Sequence, residues 1–150
     1  MTQANMSDKG DSIAVSPTGS YWIDLPNGVI EQEDGNVFSY WIQGEPECLQ
    51  LSSYSRSSGD QIEASSRLRE RLLREDVDET LSVQINVVGA ETAAAYFEDS
   101  QGLGWIYVYV TWPDLTVFAT LSGSPKLVRQ QTHWQRQAIE SIRRRLAGAS

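Results

Sequence analysis

The chain holds a single cysteine and a single histidine in 150 residues. Cys48 alone cannot close an intramolecular disulfide, and a thiolate-ligated zinc site would lack its second sulfur. Any Ser–His or Cys–His mechanism would have to use His133. Long apolar runs are also missing: the longest, Trp105 to Trp112, has eight residues, whereas a membrane helix needs roughly 20. Met1 to Asp8 shows neither the basic start nor the apolar segment of a secretion signal, so a cytoplasmic protein is expected. Positive charge is scarce through most of the chain. Residues 1–125 carry 6 Lys and Arg against 19 Asp and Glu, and residues 126–150 reverse the balance with 6 against 1, for a net charge of -8. An acidic body repels phosphate, which disfavours nucleic acid as a partner. The basic end beside it permits head-to-tail self-association.

What is present is enough for one ordinary core, since a chain of this length buries about 68–70% of its unfolded surface. Residues 1–19 are poor in large apolar side chains and are expected to be a flexible lead-in. One domain is expected over 20–147, with a short flexible end at 148–150. Strand patterns begin at Tyr21 to Leu25 and continue in a hairpin, Val29 to Glu33 and Asn36 to Ile42, around Asp34-Gly35, a pair suited to a type I′ turn. Cys48 to Arg56 reads as a further strand. Asp60 and Glu63 have capping-box spacing ahead of a helix over about residues 61–75, with Ile62, Leu68, Leu72 and Leu73 as its apolar stripe. Beyond the acidic connector Glu75 to Glu79, Leu81, Val83, Ile85 and Val87 alternate with polar residues as in a half-buried strand. A meander follows at Thr92 to Glu98, Gly104 to Trp112 and Thr116 to Ser122. Ser122 to Pro125 opens a last amphipathic helix whose charged side holds Arg129, His133, Arg136, Glu140 and Arg143.

Strands and helices in separate blocks predict an α+β fold, a twisted and mainly antiparallel sheet of about six or seven strands packed by two helices. The order itself is informative. A strand ending in Leu25-Pro26, a hairpin at Asp34-Gly35, a helix near 61–75, a meander containing Ala93-Ala94-Ala95-Tyr96 and Trp105-Ile106-Tyr107-Val108, and a C-terminal helix resemble the PsbP-like fold over roughly residues 19–147. That fold is shared by a photosystem extrinsic subunit, a Ran-binding import factor and small bacterial adaptor proteins. The resemblance implies a binding scaffold by analogy of fold, and no functional residue carries over.

Catalysis has no strong candidate. His133 falls on the projected charged face between Arg129 and Arg136, where cationic neighbours oppose its protonation, and reads as a surface histidine. The carboxylates near the hairpin and at Asp76, Asp78 and Glu79 lack calcium-loop spacing, so no metal or other cofactor is expected. Gly102-Leu103-Gly104 lacks the third glycine of a dinucleotide fingerprint and precedes a strand. Arg143-Arg144-Arg145 reads as a helix end favoured by the dipole.

The strand Trp105 to Trp112 is large on both faces, with Trp105, Tyr107 and Tyr109 on one and Ile106, Val108, Val110 and Trp112 on the other. The aliphatic face suits the helices. The aromatic face then needs the sheet's own curvature, a second core built by the N-terminal hairpin, another chain, or a ligand to cover it. The expected function is a non-catalytic protein-binding module of bacterial type, such as an adaptor, chaperone or immunity-like partner. Trp105, Tyr107 and Tyr109 would anchor the partner, and Glu31, Glu33 and Asp34 would steer it if it is basic. The alternative is a small-molecule or lipid carrier with Trp112 and Trp134 in the wall of a pocket between sheet and helices.

Overall fold

The structure, a computed structural model, describes residues 12–55 and 63–145. The described residues form ten strands and three helices, in blocks: β1 Ser12–Val15, β2 Tyr21–Pro26, β3 Ile30–Asp34, β4 Val37–Trp41, β5 Cys48–Ser55, α1 Ala64–Arg74, β6 Leu81–Val83, β7 Glu91–Glu98, β8 Gly104–Trp112, β9 Leu115–Gly123, α2 Pro125–Val128, α3 Trp134–Glu140 and β10 Arg143–Arg144. Seven of the strands form an antiparallel sheet in the order β3-β4-β5-β9-β8-β7-β6, and β1-β2-β10 form a second, smaller one. The α+β class expected from the separate strand and helix blocks is the class observed. Ser12–Val15, within the expected lead-in, is a strand paired with β2; residues 1–11 and 146–150 lie outside the described residues.

Pleat alternation divides the large sheet into two unlike faces. On one, Leu49, Leu51, Ile106, Val108, Val110, Val117, Ala119 and Leu121 are fully buried. They meet Tyr21, Ile23 and Leu25 of β2 together with Val128, Ala138 and Ile139 of the short helices. On the other, Phe97, Tyr107, Tyr109 and Phe118 receive Ala64 and Leu68 of α1. Helix α1 therefore covers the aromatic face, against the expectation that the helices take the aliphatic one. The aliphatic face closes instead with help from the small sheet, an element whose pairing no local pattern announces.

Three local expectations change in detail. The hairpin pairs Asp34 with Val37, so its central residues are Gly35 and Asn36. Only Gly35 has positive φ, at 64°, which is the pattern of a type II′ turn rather than I′. Asp60 and Ile62 lie outside the described residues; Glu63 is the N-cap and makes no side-chain cap bond. The Ala64 amide donates instead to Glu91 Oε1 on β7 at 3.0 Å, a carboxylate placed where the helix dipole favours it. Leu73, expected in the apolar stripe, is 71% exposed.

The single long C-terminal helix is not formed. It breaks after α2, resumes as α3, and gives way to a strand at Arg143 and Arg144, which pair with Trp22 and Tyr21. Two side chains of α3 turn inward to backbone carbonyls, and one of them, Arg136, belongs to the face that periodicity puts toward solvent. Arg136 is buried and donates to the carbonyls of Arg129 and Gln84, and Gln135 donates to those of Cys48 and Ser122. These bonds satisfy backbone acceptors that a continuous helix would leave elsewhere. The terminal arginines are then no helix end: Arg143 pairs with Asp24 at 3.2 Å, Arg144 with Asp114 at 2.6 Å, and Arg145 lies over the Trp22 ring.

Candidate functional site: an acid-walled groove with an aromatic floor

Tyr107 and Tyr109 are buried beneath α1, at 8% and 4% exposure. Arg71 of that helix donates to the Tyr109 hydroxyl at 2.7 Å, and its guanidinium stands 3.9 Å above the Phe118 ring. Tyr107 donates to Glu75 Oε1 at 2.6 Å. Burial, and then this carboxylate, push the Tyr107 hydroxyl well above its ordinary range. Both tyrosines are thus internal. Trp105, one turn of the pleat away, is only half-buried.

Glu31, Glu33 and Asp34 are exposed on β3, at the far edge of the sheet. Strands β4, β5 and β9 separate them from β8, a distance of about 19 Å at the usual strand spacing. Glu31 and Glu33 pair with Tyr40 and Phe38 and so share the aliphatic face; Asp34 shares the aromatic face through Val37, Ser52 and Phe118. Glu31 accepts a hydrogen bond from Tyr40 at 2.7 Å. These carboxylates do not rim the aromatic residues. They charge an edge strand, a usual protection against pairing with other chains.

A different set of carboxylates does reach the aromatic face. Strand β6 pairs antiparallel with β7, setting Leu81 opposite Tyr96, so the connector leading into β6 runs beside the end of β7. The result is an open groove of about 1330 Å³, walled by Glu75, Asp76, Asp78, Glu79, Glu98 and Asp99 and floored by Phe97, Trp105 and Tyr107. Among the described residues no Lys, Arg or His lines it, although Arg71 reaches the wall from behind to pair with Glu75 at 3.2 Å. The floor is a fixed array: Phe97 meets Tyr107 edge-on at 5.0 Å and lies nearly parallel to Trp105 at 6.5 Å.

The connector, read from sequence as a solvated acidic loop, has a defined shape. Val77 N–H donates to Leu72 O and Asp76 N–H to Leu73 O, the paired bonds of a Schellman motif. Asp76 occupies the left-handed position at φ 58°, where glycine is usual. Leu72 and Val77 then pack against the aromatic cluster. The other wall is equally tied. Asp99 accepts from the amides of Gln101 and Leu103 and from Trp105 Nε1 at 2.9 Å. The Trp105 bond leads in holding its carboxyl below the usual range. Glu98 accepts from the Tyr96 hydroxyl, whose pKa rises to about 12 through burial first and this carboxylate second. Asp76, Asp78 and Glu79 remain exposed, with no side-chain hydrogen bond among the described residues. The carboxylates splay: among the described residues no three His, Cys, Asp or Glu side chains converge as metal ligands.

His133 departs from its expected place on a solvated face. It is half-buried at the N-terminus of α3 with Nδ1 unpartnered, and burial lowers its pKa against the pull of Glu47 and Glu45. Trp112 is core and Trp134 packs against it; neither lines the groove.

No protein family and no curated protein matches the chain. Solved structures do. One from Bacteroides thetaiotaomicron superposes with a TM-score of 0.61 at 13% identity, over 93% of this chain and 50% of that one; the present chain spans half its length. Another, a protein of unknown function from Pseudomonas aeruginosa, gives 0.51 at 15% identity over 91% and 99% of the two chains. At such identities the likeness is one of fold. Among the described residues no helix is long and apolar enough to cross a membrane.

Proposed function

We propose that this chain is a non-catalytic protein-binding module, of the adaptor or chaperone kind, that takes a basic segment of another protein in the acid-walled groove. The observation that carries the reading is the lining itself: six carboxylates around a floor of three aromatic rings, with Glu75 paired to Arg71 at 3.2 Å and the other five met by no salt bridge among the described residues. Lys and Arg side chains suit both surfaces, since their charges meet the walls and their stems and guanidinium groups stack on Trp105. The acidic field speeds encounter and selects against acidic competitors. An assignment to the PsbP-like family of scaffolds, which rests on the order of the strands and α1 and not on the C-terminal helix, and a bacterial setting, supported by the sources of the two similar structures, belong to the same proposal. Head-to-tail self-association loses support because Arg143, Arg144 and Arg145 are engaged within their own chain.

The test is a titration with a lysine-rich peptide at low and high salt. Binding should weaken with salt. The variant Asp76→Asn/Asp78→Asn/Glu79→Gln, which removes charge without a hydrogen bond, should weaken it about tenfold at low salt, and Trp105→Ala by a similar factor. Peptide affinity unchanged in both variants would overturn the assignment of the groove.

A further inference from the structure

The seven-stranded sheet has two edges, and they are treated differently. Strand β3 carries three exposed carboxylates, Glu31, Glu33 and Asp34, along its five residues. Strand β6, Leu81-Ser82-Val83, carries no charge and exposes Leu81 at 54%. No described strand pairs with its outer side. An unpaired edge of this kind presents free backbone donors and acceptors, which proteins usually blunt with charge, as β3 does. The uncharged edge is also the one that adjoins the groove, because Leu81 belongs to its lining and Asp78 and Glu79 stand just ahead of Thr80 in the chain leading into the strand.

Resting on the reading of the groove given above, we propose that the basic partner segment binds as an added β-strand along β6. The pleat then dictates its pattern. Leu81 and Val83 share the aliphatic side of the sheet with Tyr96 and Ala94, while Ser82 shares with Ala95 and Tyr107 the side that carries the groove's aromatic floor. A strand laid beside β6 therefore points alternate residues toward the acidic walls and toward exposed Leu81. The partner's sequence is an alternation of basic and apolar residues, the basic ones facing the groove.

The probe is a synthetic peptide of alternating Lys and Val, about eight residues long, compared with an isomer having the same residues in two blocks. Two further versions carry N-methyl groups, one on every Lys amide and one on every Val amide. In an extended chain these amides point to opposite lateral sides, so only one set can face β6. The alternating peptide should bind more tightly than the block isomer. One N-methylated version should weaken about tenfold while the other keeps the parent's affinity, and exchange of the backbone amides at residues 81–83 should slow in the complex. Equal affinity of both N-methylated versions and the block isomer, with unchanged exchange at 81–83 but lost affinity in the Asp76→Asn/Asp78→Asn/Glu79→Gln variant, would overturn strand addition and leave the groove as the site. No binding by any of these peptides to the unmodified protein would overturn both.

Discussion

The two faces of the seven-stranded sheet are built by different rules. The aliphatic face is sealed by the β1-β2-β10 sheet and two short helices, and its side chains from β5, β8 and β9 reach zero exposure. The aromatic face has one helix over it, and its rings, both those beneath the helix and half-buried Trp105, are held by polar bonds at their tips: Tyr107 to Glu75, Trp105 to Asp99, Tyr109 to Arg71. Aliphatic side chains can only be excluded from water. Tyr and Trp can be half-covered, since each offers an apolar body and a polar end.

Truncation separates the faces most sharply. Leu121→Ala, in the sealed layer, should cost about 2–5 kcal/mol of unfolding free energy in denaturant titration. Tyr109→Ala should cost about 3 kcal/mol, because the ring seats α1; a binding defect in that variant would report lost structure rather than a lost anchor. Glu91→Ala, which removes the tertiary cap of α1, should cost about 1 kcal/mol. Leu73→Ala on the outer side of the same helix should change stability by less than about 0.5 kcal/mol. If Leu73→Ala cost as much as Tyr109→Ala, the described placement of α1 would be wrong.

The smallest effect is one of titration. His133 is the only imidazole, so its resonances in a proton spectrum are unambiguous. Burial should hold its folded pKa below 6.5. Between that lowered value and 6.5 the unfolded chain binds more protons, so the contribution of this group favours folding above pH 6.5 and fades as pH falls through the folded pKa. His133→Gln should flatten that part of the stability profile. A folded pKa at or above 6.5 would mean that the pull of Glu47 and Glu45 outweighs burial of the ring.

The helical projection of the chain's last segment shows how periodicity misleads. Residues 125–145 have a consistent amphipathic pattern, yet the chain there is two short helices and a strand. A pattern records which residues are apolar, and it cannot register that Gln135 and Arg136 are buried because backbone carbonyls of Cys48, Ser122, Arg129 and Gln84 await them. The candidate site was legible in the same partial way. The strand Trp105 to Trp112, large on both faces, is legible from its alternation and is observed within β8. Nothing in a local pattern ranks Glu31, Glu33 and Asp34 against Asp76, Asp78 and Glu79; antiparallel pairing of β6 with β7 brings the second set into one groove with Trp105.

The sequence by itself determined the α+β class, the meander of β7, β8 and β9, the two-faced character of β8 and the absence of a helix-length apolar run. Each follows from local composition and period, which act over a few residues. Only the tertiary structure decided which face α1 covers, which edge of the sheet stays uncharged beside a groove, and where the terminal arginines find their partners. Those outcomes depend on pairings between residues far apart in the chain, such as Arg144 with Asp114 and Glu91 with Ala64, and a one-dimensional pattern holds no record of distance in space.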